Sequence, residues 1–292
     1  MVEPSMTPDQ QNLLEAVVRI AKLAGEEILD VYRRDGGIAA QTKGDDSPLT
    51  EADTRANDVI VSELKRLTPD IPVLSEESAV LPWDVRSQWV EYWLIDPLDG
   101  TKEFINRNDE FTVNIALVRA GEPVMGVVHA PALARTWSGM KGEGAWRQEG
   151  ADVPQIIHSV KMPVEIESSS VMVVASRRHG GEQLQGMLDT LALRFKEVEL
   201  VNMGSSLKIC IIAEGGADIY PRLAPTSEWD TAAAQAVLCA AGGMICTLDF
   251  APLRYNSKES VLNPSFIALG DMTFAWQKVL DLTPAPADST QQ

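Results

Sequence analysis

Residues 93–104 read WLIDPLDGTKEF. Trp93, Leu94 and Ile95 suit a buried strand, and they run straight into Asp96 and Asp99, which flank Pro97-Leu98. An apolar strand finished by two close carboxylates leaves little choice of placement. The acids belong at a strand terminus, because a proline without an N–H is expected to stop the ladder there. Asp99-Gly100-Thr101 then reads as a turn into a short helix, with Gly100 supplying backbone freedom. Taken alone, the two acids could simply cap that turn and that helix.

Other segments repeat the design. Val73-Leu74 delivers Glu76 and Glu77 at a strand end, SPLTEAD at 47–53 puts Asp53 on the first turn of a helix, and Glu228-Trp229-Asp230 puts Asp230 at the start of another. Such positions can converge on one cleft, where like charges need neutralising. A bound cation does this, and all-oxygen ligation favours Mg²⁺, Mn²⁺ or Ca²⁺ over Zn²⁺. His129, His158 and His179 are scattered without close ligand spacing, which also counts against zinc.

The 292 residues suffice for one large domain or two intimately joined ones. The 42 acids against 25 bases give a net charge of −17, which repels nucleic acid and anionic membranes. A phosphate ligand must therefore meet local positive charge. The start, MVEPSMTPDQ, lacks the basic-then-apolar pattern of a secretory signal, and the apolar run 231–246 is broken by Gln235 and Gly242-Gly243, so no membrane span is expected. Cys210, Cys239 and Cys246 form no C-x-x-C and lie in apolar surroundings, as in the reduced core of a cytoplasmic protein.

Apolar periodicity predicts helices over 8–33, 52–67, 182–193, 205–213 and 229–241, the last stopped by Gly242-Gly243. Strand-like runs fall at 73–74, 90–95, 112–118, 124–129, 134–137, 171–175 and 217–220. Glycine, proline and charge over 139–163 suggest an irregular seam between an N-terminal part, 1–150, and a C-terminal part, 151–292. The alternation argues a layered α/β arrangement of mixed α and β elements.

Several ways of handling phosphate are absent: there is no G-x-x-x-x-G-K-[ST], no G-x-S-x-G, and no cysteine followed six residues later by arginine. Gly139 to Gly144 sit between strand-like segments and read as a hairpin turn. Attack by metal-activated water remains. The N–H groups of Gly100 and Thr101, at a helix start, could grip a phosphate oxygen. The Thr101 hydroxyl could orient water if a carboxylate takes its proton, and Asp53 is a candidate acceptor. His179 shares a glycine-ended loop with Arg177 and Arg178, which could hold an anion.

WLIDPLDGTKEF, with LSEES at 74–78, SPLTEAD at 47–53 and EWDTAAAQAVLCAAGG at 228–243, resembles the lithium-sensitive, Mg²⁺-dependent phosphatase superfamily that includes inositol monophosphatase. Lys102-Glu103-Phe104, Gly204-Ser-Ser-Leu-Lys208 and Tyr220-Pro-Arg222 resemble its 3′(2′),5′-bisphosphate nucleotidase branch. The resemblance implies an αβαβα layered sandwich and a site of two or three Mg²⁺ ions, with Mn²⁺ as a substitute. Glu76, Asp96, the Leu98 carbonyl, Asp99 and Asp230 would be metal ligands, and Asp53 with Thr101, alongside Glu76, would be catalytic. Gly100, Thr101, Ser176, His179, Gly204 and Lys208 would bind substrate. The implied reaction is hydrolysis of adenosine 3′,5′-bisphosphate to AMP and phosphate, with 3′-phosphoadenylyl sulfate as a second substrate and a place in sulfur metabolism. An inositol or sugar phosphatase, or a non-catalytic Mg²⁺ and anion binder, is the alternative.

Overall fold

A Thr7–Gln10 capping box starts helix α1 (Pro8–Tyr32), whose apolar stripe buries Leu14, Val17, Ile20, Ala21, Ala24 and Ile28. The structure, a computed structural model, describes residues 7–34, 38, 40–42, 48–175 and 181–281. A small antiparallel ribbon, β1 (Ala40–Thr42) with β2 (Pro48–Thr50), leads into α2 (Glu51–Leu67). A seven-stranded sheet follows, ordered β3-β4-β5-β6-β7-β8-β9. Its strands are β3 (Val73–Ser75), β4 (Glu91–Asp99), β5 (Thr112–Arg119), β6 (Glu122–Ala130), β7 (Arg135–Met140), β8 (Gly144–Glu149) and β9 (Gln155–Ile157). Short helices α3 (Trp83–Arg86) and α4 (Thr101–Ile105) flank β4. Within this sheet, among the described residues, only the β3–β4 pair is parallel. Ala120 and Gly121, both with positive φ, make the tight turn between β5 and β6.

The smaller sheet is ordered β11-β10-β12-β14-β13. It comprises β10 (Ser170–Ala175), β11 (Glu197–Asn202), β12 (Ile219–Arg222), β13 (Met244–Thr247) and β14 (Phe266–Leu269). Between these lie α5 (Glu182–Ala192), α6 (Leu207–Ala213) and α7 (Glu228–Ala240), and α8 (Trp276–Leu280) follows.

Strand alternation decides the layers. Trp93, Ile95, Val113, Ile115 and Leu117 face α1 and α2, whereas Tyr92, Leu94, Ala116 and Val118 face α6 and α7. The far side of α6 and α7 packs on Val174, Tyr220, Phe266 and Ala268 of the smaller sheet. Val171, Val173, Ile219 and Ile267 on its other face cover α5 and α8. The order α-β-α-β-α is the one expected. Helix α7 lies unusually close to the larger sheet: a Cβ on Gly126 would stand 2.8 Å from Ala236 Cβ, and one on Gly139 2.7 Å from Val237 Cα.

Two local expectations fail. Pro97 does not end the ladder: β4 continues to Asp99, which pairs with Thr112 across an irregularity between Asp96 and Asp99. The proline sits within that bulge, where no N–H is needed. Nor is the stretch 139–163 irregular throughout, because β8 and β9 extend the larger sheet to Ile157 and the Gly139–Gly144 region is the hairpin into β8. All three cysteines are free; Cys210 and Cys246 are buried, but Cys239 is exposed.

Candidate active site

Helices α2 and α7 begin with the same local chemistry. Thr50-Glu-Ala-Asp53 and Ser227-Glu-Trp-Asp230 are both capping boxes with aspartate at the third helical position. Asp53 Oδ2 accepts from the Thr50 N–H at 2.7 Å and from the Thr50 hydroxyl at 2.5 Å. Asp230 Oδ2 accepts from the Ser227 N–H at 2.8 Å. Each carboxylate is thereby fixed through one oxygen. The other oxygen of Asp53, Oδ1, lies 3.2 Å from the Thr101 hydroxyl, which is also 3.2 Å from the Leu98 carbonyl.

The end of β4 supplies the centre. Asp96 is 1% exposed, on the Tyr92–Leu94 face that looks toward α7, and its Oδ1 accepts from the Leu98 N–H at 3.1 Å. Gly100, at φ +89, turns the chain into α4, a conformation that a side chain would strain. Asp99 does not cap α4; its Oδ2 accepts from the Ser206 N–H at 2.6 Å. From β3 the chain reaches Glu76, anchored by its N–H on the Ile95 carbonyl at 3.2 Å. Glu76, Asp96 and Asp230 bring carboxylate oxygens within 4.8 Å of one another.

Such a cluster is electrostatically uncomfortable without a counter-charge. Burial, then the neighbouring carboxylates, pushes Asp96 well above the ordinary carboxylate range, and burial with Asp99 and Glu76 does the same to Asp230. Burial raises Asp99 to about 6, while Lys208 and the Ser206 N–H pull it back. The donor set is oxygen only, so the residues fit a hard divalent cation rather than zinc.

Asp99, Gly100 and Asp230 border a cleft of about 270 Å³ whose far wall contains Gly204, Lys208, Tyr220 and Arg222. Burial lowers Lys208 to about 8 against the pull of Asp99, and its ammonium stands 5.7 Å from the Tyr220 ring centre. Gly204 lies against Glu103 and Glu110. Ser176 and His179 fall outside the described residues. Sequence reasoning missed the Ser206 N–H as an Asp99 donor and Arg222 as a cleft-wall cation. A backbone donor has no letter of its own; Arg222 was visible within Tyr220-Pro-Arg222.

Residues 9–277 match the Inositol monophosphatase family. The chain belongs to this family. The 3'(2'),5'-bisphosphate nucleotidase CysQ of Escherichia coli (strain K12) is 45% identical over 255 residues, covering 87% of this chain and 98% of that one. The Haemophilus influenzae protein of the same name is 37% identical over 270 residues, covering 92% and 97%. Among solved structures, CysQ from Bacteroides thetaiotaomicron aligns with TM-score 0.76 and 39% identity, over 89% of this chain and 97% of that chain. The Thermotoga maritima IMPase, 21% identical at TM-score 0.71 and covering 93% and 96%, shares the fold. The inositol monophosphatase fold thus accounts for the layers, and the acidic cluster is the feature of this member suited to metal.

Proposed function

We propose that this chain is a Mg²⁺-dependent phosphomonoester hydrolase that removes the 3′-phosphate of adenosine 3′,5′-bisphosphate, giving AMP and phosphate, and that it also accepts 3′-phosphoadenylyl sulfate. The observation that carries the reading is one cleft that brings Asp230 of the acidic cluster, with Asp99 beside it, together with the cations Lys102, Lys208 and Arg222. A substrate with two anionic groups uses both sets; a polyol monophosphate needs only the first. The nucleotidase relatives, matched over nearly their whole length, support the same substrate class.

In this reading Glu76, Asp96, the Leu98 carbonyl, Asp99 and Asp230 hold two or three Mg²⁺ ions, which when bound neutralise the phosphate, make water more acidic and steady the leaving oxygen. Thr101 Oγ1 accepts a hydrogen bond from the attacking water while donating its own proton to Asp53 Oδ1. As the water oxygen bonds to phosphorus and the ester P–O bond breaks, the water proton passes to Thr101 and the hydroxyl proton to Asp53. The released ribose oxygen takes a proton from solvent water, and Asp53 returns its proton to solvent, which restores the pair. The Gly100 and Thr101 N–H groups hold the scissile phosphate. Lys208, with Gly204, meets the second anionic group, and Ser176 and His179 are further candidates for binding the nucleotide. Residues 1–150 then supply most metal ligands, and 151–292 supply Asp230 and the substrate wall.

The test is phosphate release from adenosine 3′,5′-bisphosphate, 3′-phosphoadenylyl sulfate, 3′-AMP and inositol 1-phosphate, in Mg²⁺ with and without Li⁺. The bisphosphate should lead and Li⁺ should inhibit. Faster turnover of inositol 1-phosphate would overturn the substrate assignment, and an Asp99→Asn variant with normal turnover would overturn the metal site.

A further inference from the structure

The end of β5 nearest the cleft is polar where its pattern calls for apolar side chains. Ala116 and Val118 pack under α6 and α7, and alternation puts Thr112 and Asn114 on the same face. Both are buried, at 0% and 1% exposure, and neither belongs to the ligand set or the water-activating pair. They meet a buried hydroxyl from the other half of the chain. Thr112 Oγ1 lies 2.8 Å from Ser206 Oγ, which donates to Asn114 Oδ1 at 2.9 Å, and Thr112 Oγ1 reaches the same Oδ1 at 3.3 Å.

Ser206 is the residue whose backbone N–H holds Asp99 Oδ2. Just before it, Ser205 adopts φ +41, a left-handed conformation that costs a non-glycine residue about 1–3 kcal/mol. Its Cβ lies 3.3 Å from where a Cβ on Gly100 would be. A strained turn thus lies beside the Asp99–Gly100 corner, fastened from behind by three polar side chains. This fastening is poor value for stability alone: Asn114 Nδ2 has no hydrogen-bond partner among the described residues, and an unsatisfied buried donor costs about 1–3 kcal/mol. Directional bonds fix the rotation of a turn in a way that apolar contacts cannot.

We propose that Thr112, Asn114 and the Ser206 hydroxyl are positioning residues, a buried latch that aims the Ser206 N–H at Asp99 and so holds that carboxylate ready for a divalent cation. The latch touches no reacting atom, and it rests on the reading of Asp99 as a metal ligand. The test uses the full chain and Mg²⁺ alone, following the melting temperature as Mg²⁺ is titrated, with phosphate release measured alongside. Ser206→Ala and the isosteric Thr112→Val should need about tenfold more Mg²⁺ for half of the thermal shift, the scale expected when support behind a metal ligand is removed. KM for adenosine 3′,5′-bisphosphate at saturating Mg²⁺ should stay unchanged, and Thr112→Ser, which keeps the hydroxyl, should behave like the parent. Variants that melt earlier without moving the Mg²⁺ midpoint, or that match the parent in both, would overturn the latch while leaving the metal site standing. A parent chain with no Mg²⁺-dependent shift would sink both.

Discussion

Asp53 has two jobs that substitution can separate. Its Oδ2 starts α2 and its Oδ1 faces Thr101. Asparagine still accepts from the Thr50 N–H but takes no proton, so Asp53→Asn should lower turnover by about 10²-fold or more with little change in urea midpoint. Asp53→Ala should lose turnover and, in addition, about 1 kcal/mol from the lost half of the capping box, since Thr50 still accepts from the Ala52 N–H. Thr101→Ser should retain activity that Thr101→Ala loses. Normal turnover in Asp53→Asn would remove the residue from the mechanism. The raised carboxylates give a second expectation. With Asp99 near 6 and Asp96 and Asp230 higher than ordinary acids, cation uptake must displace protons, so apparent Mg²⁺ affinity should climb from pH 5 to 8. Calorimetry in buffers of different ionisation enthalpy should show proton release; equal heats would contradict it. At this scale the convergence of the acids was legible, because Asp96 and Asp99 taken alone could be caps but the same design recurs at Glu76, Asp53 and Asp230. That Asp99 accepts a bond from a residue 107 positions away was not, since nothing in either local sequence records the meeting.

Helix α7 joins the site to the sheet. It presents Ala233 and Ala236 toward the strands, and Gly126 and Gly139 leave room for its backbone. Gly126→Ala should cost about 1–3 kcal/mol by overpacking and, because α7 carries Asp230, should weaken the Mg²⁺-dependent thermal shift as well. Gly186→Ala on α5, where an added Cβ meets nothing within 4 Å, is the control and should be neutral or slightly stabilising. Equal melting temperatures for the two variants would refute the close-approach argument. The long helices were legible because α1, α2 and α7 keep apolar periodicity and have clear starts. Strand β11 was not: Glu197, Glu199 and Leu200 on this edge are exposed, so its pattern reads as loop. The bulge through Pro97 escaped for another reason, since proline weakens a ladder only where an N–H is required.

Five layers bury groups that an isolated element would leave wet. His129 is 7% exposed where β6 meets α1, with Nδ1 2.9 Å from the Thr136 hydroxyl, and burial lowers its imidazole to about 4. An unfolded chain takes up this proton near pH 6.5, so as pH falls from about 6.5 to 4 the unfolded state gains and the fold loses up to about 3 kcal/mol. Nuclear magnetic resonance should find the ring neutral down to about pH 4; a midpoint near 6.5 would contradict its burial. The α/β alternation made a layered arrangement legible and the family resemblance its five layers, but the order β11-β10-β12-β14-β13 was hidden, because β13 and β14 come late in the chain and pair by long-range contact. The paired helix starts carry a consequence for descent. On the proposed mechanism folding and turnover draw on the same two side chains, Asp53 and Asp230, yet each helix start needs only an accepting oxygen, which asparagine also offers. A descendant that abandoned catalysis would still keep an acceptor, aspartate or asparagine, at both positions as a fastening, so an acceptor there in a distant cousin is weak testimony that its chemistry survives.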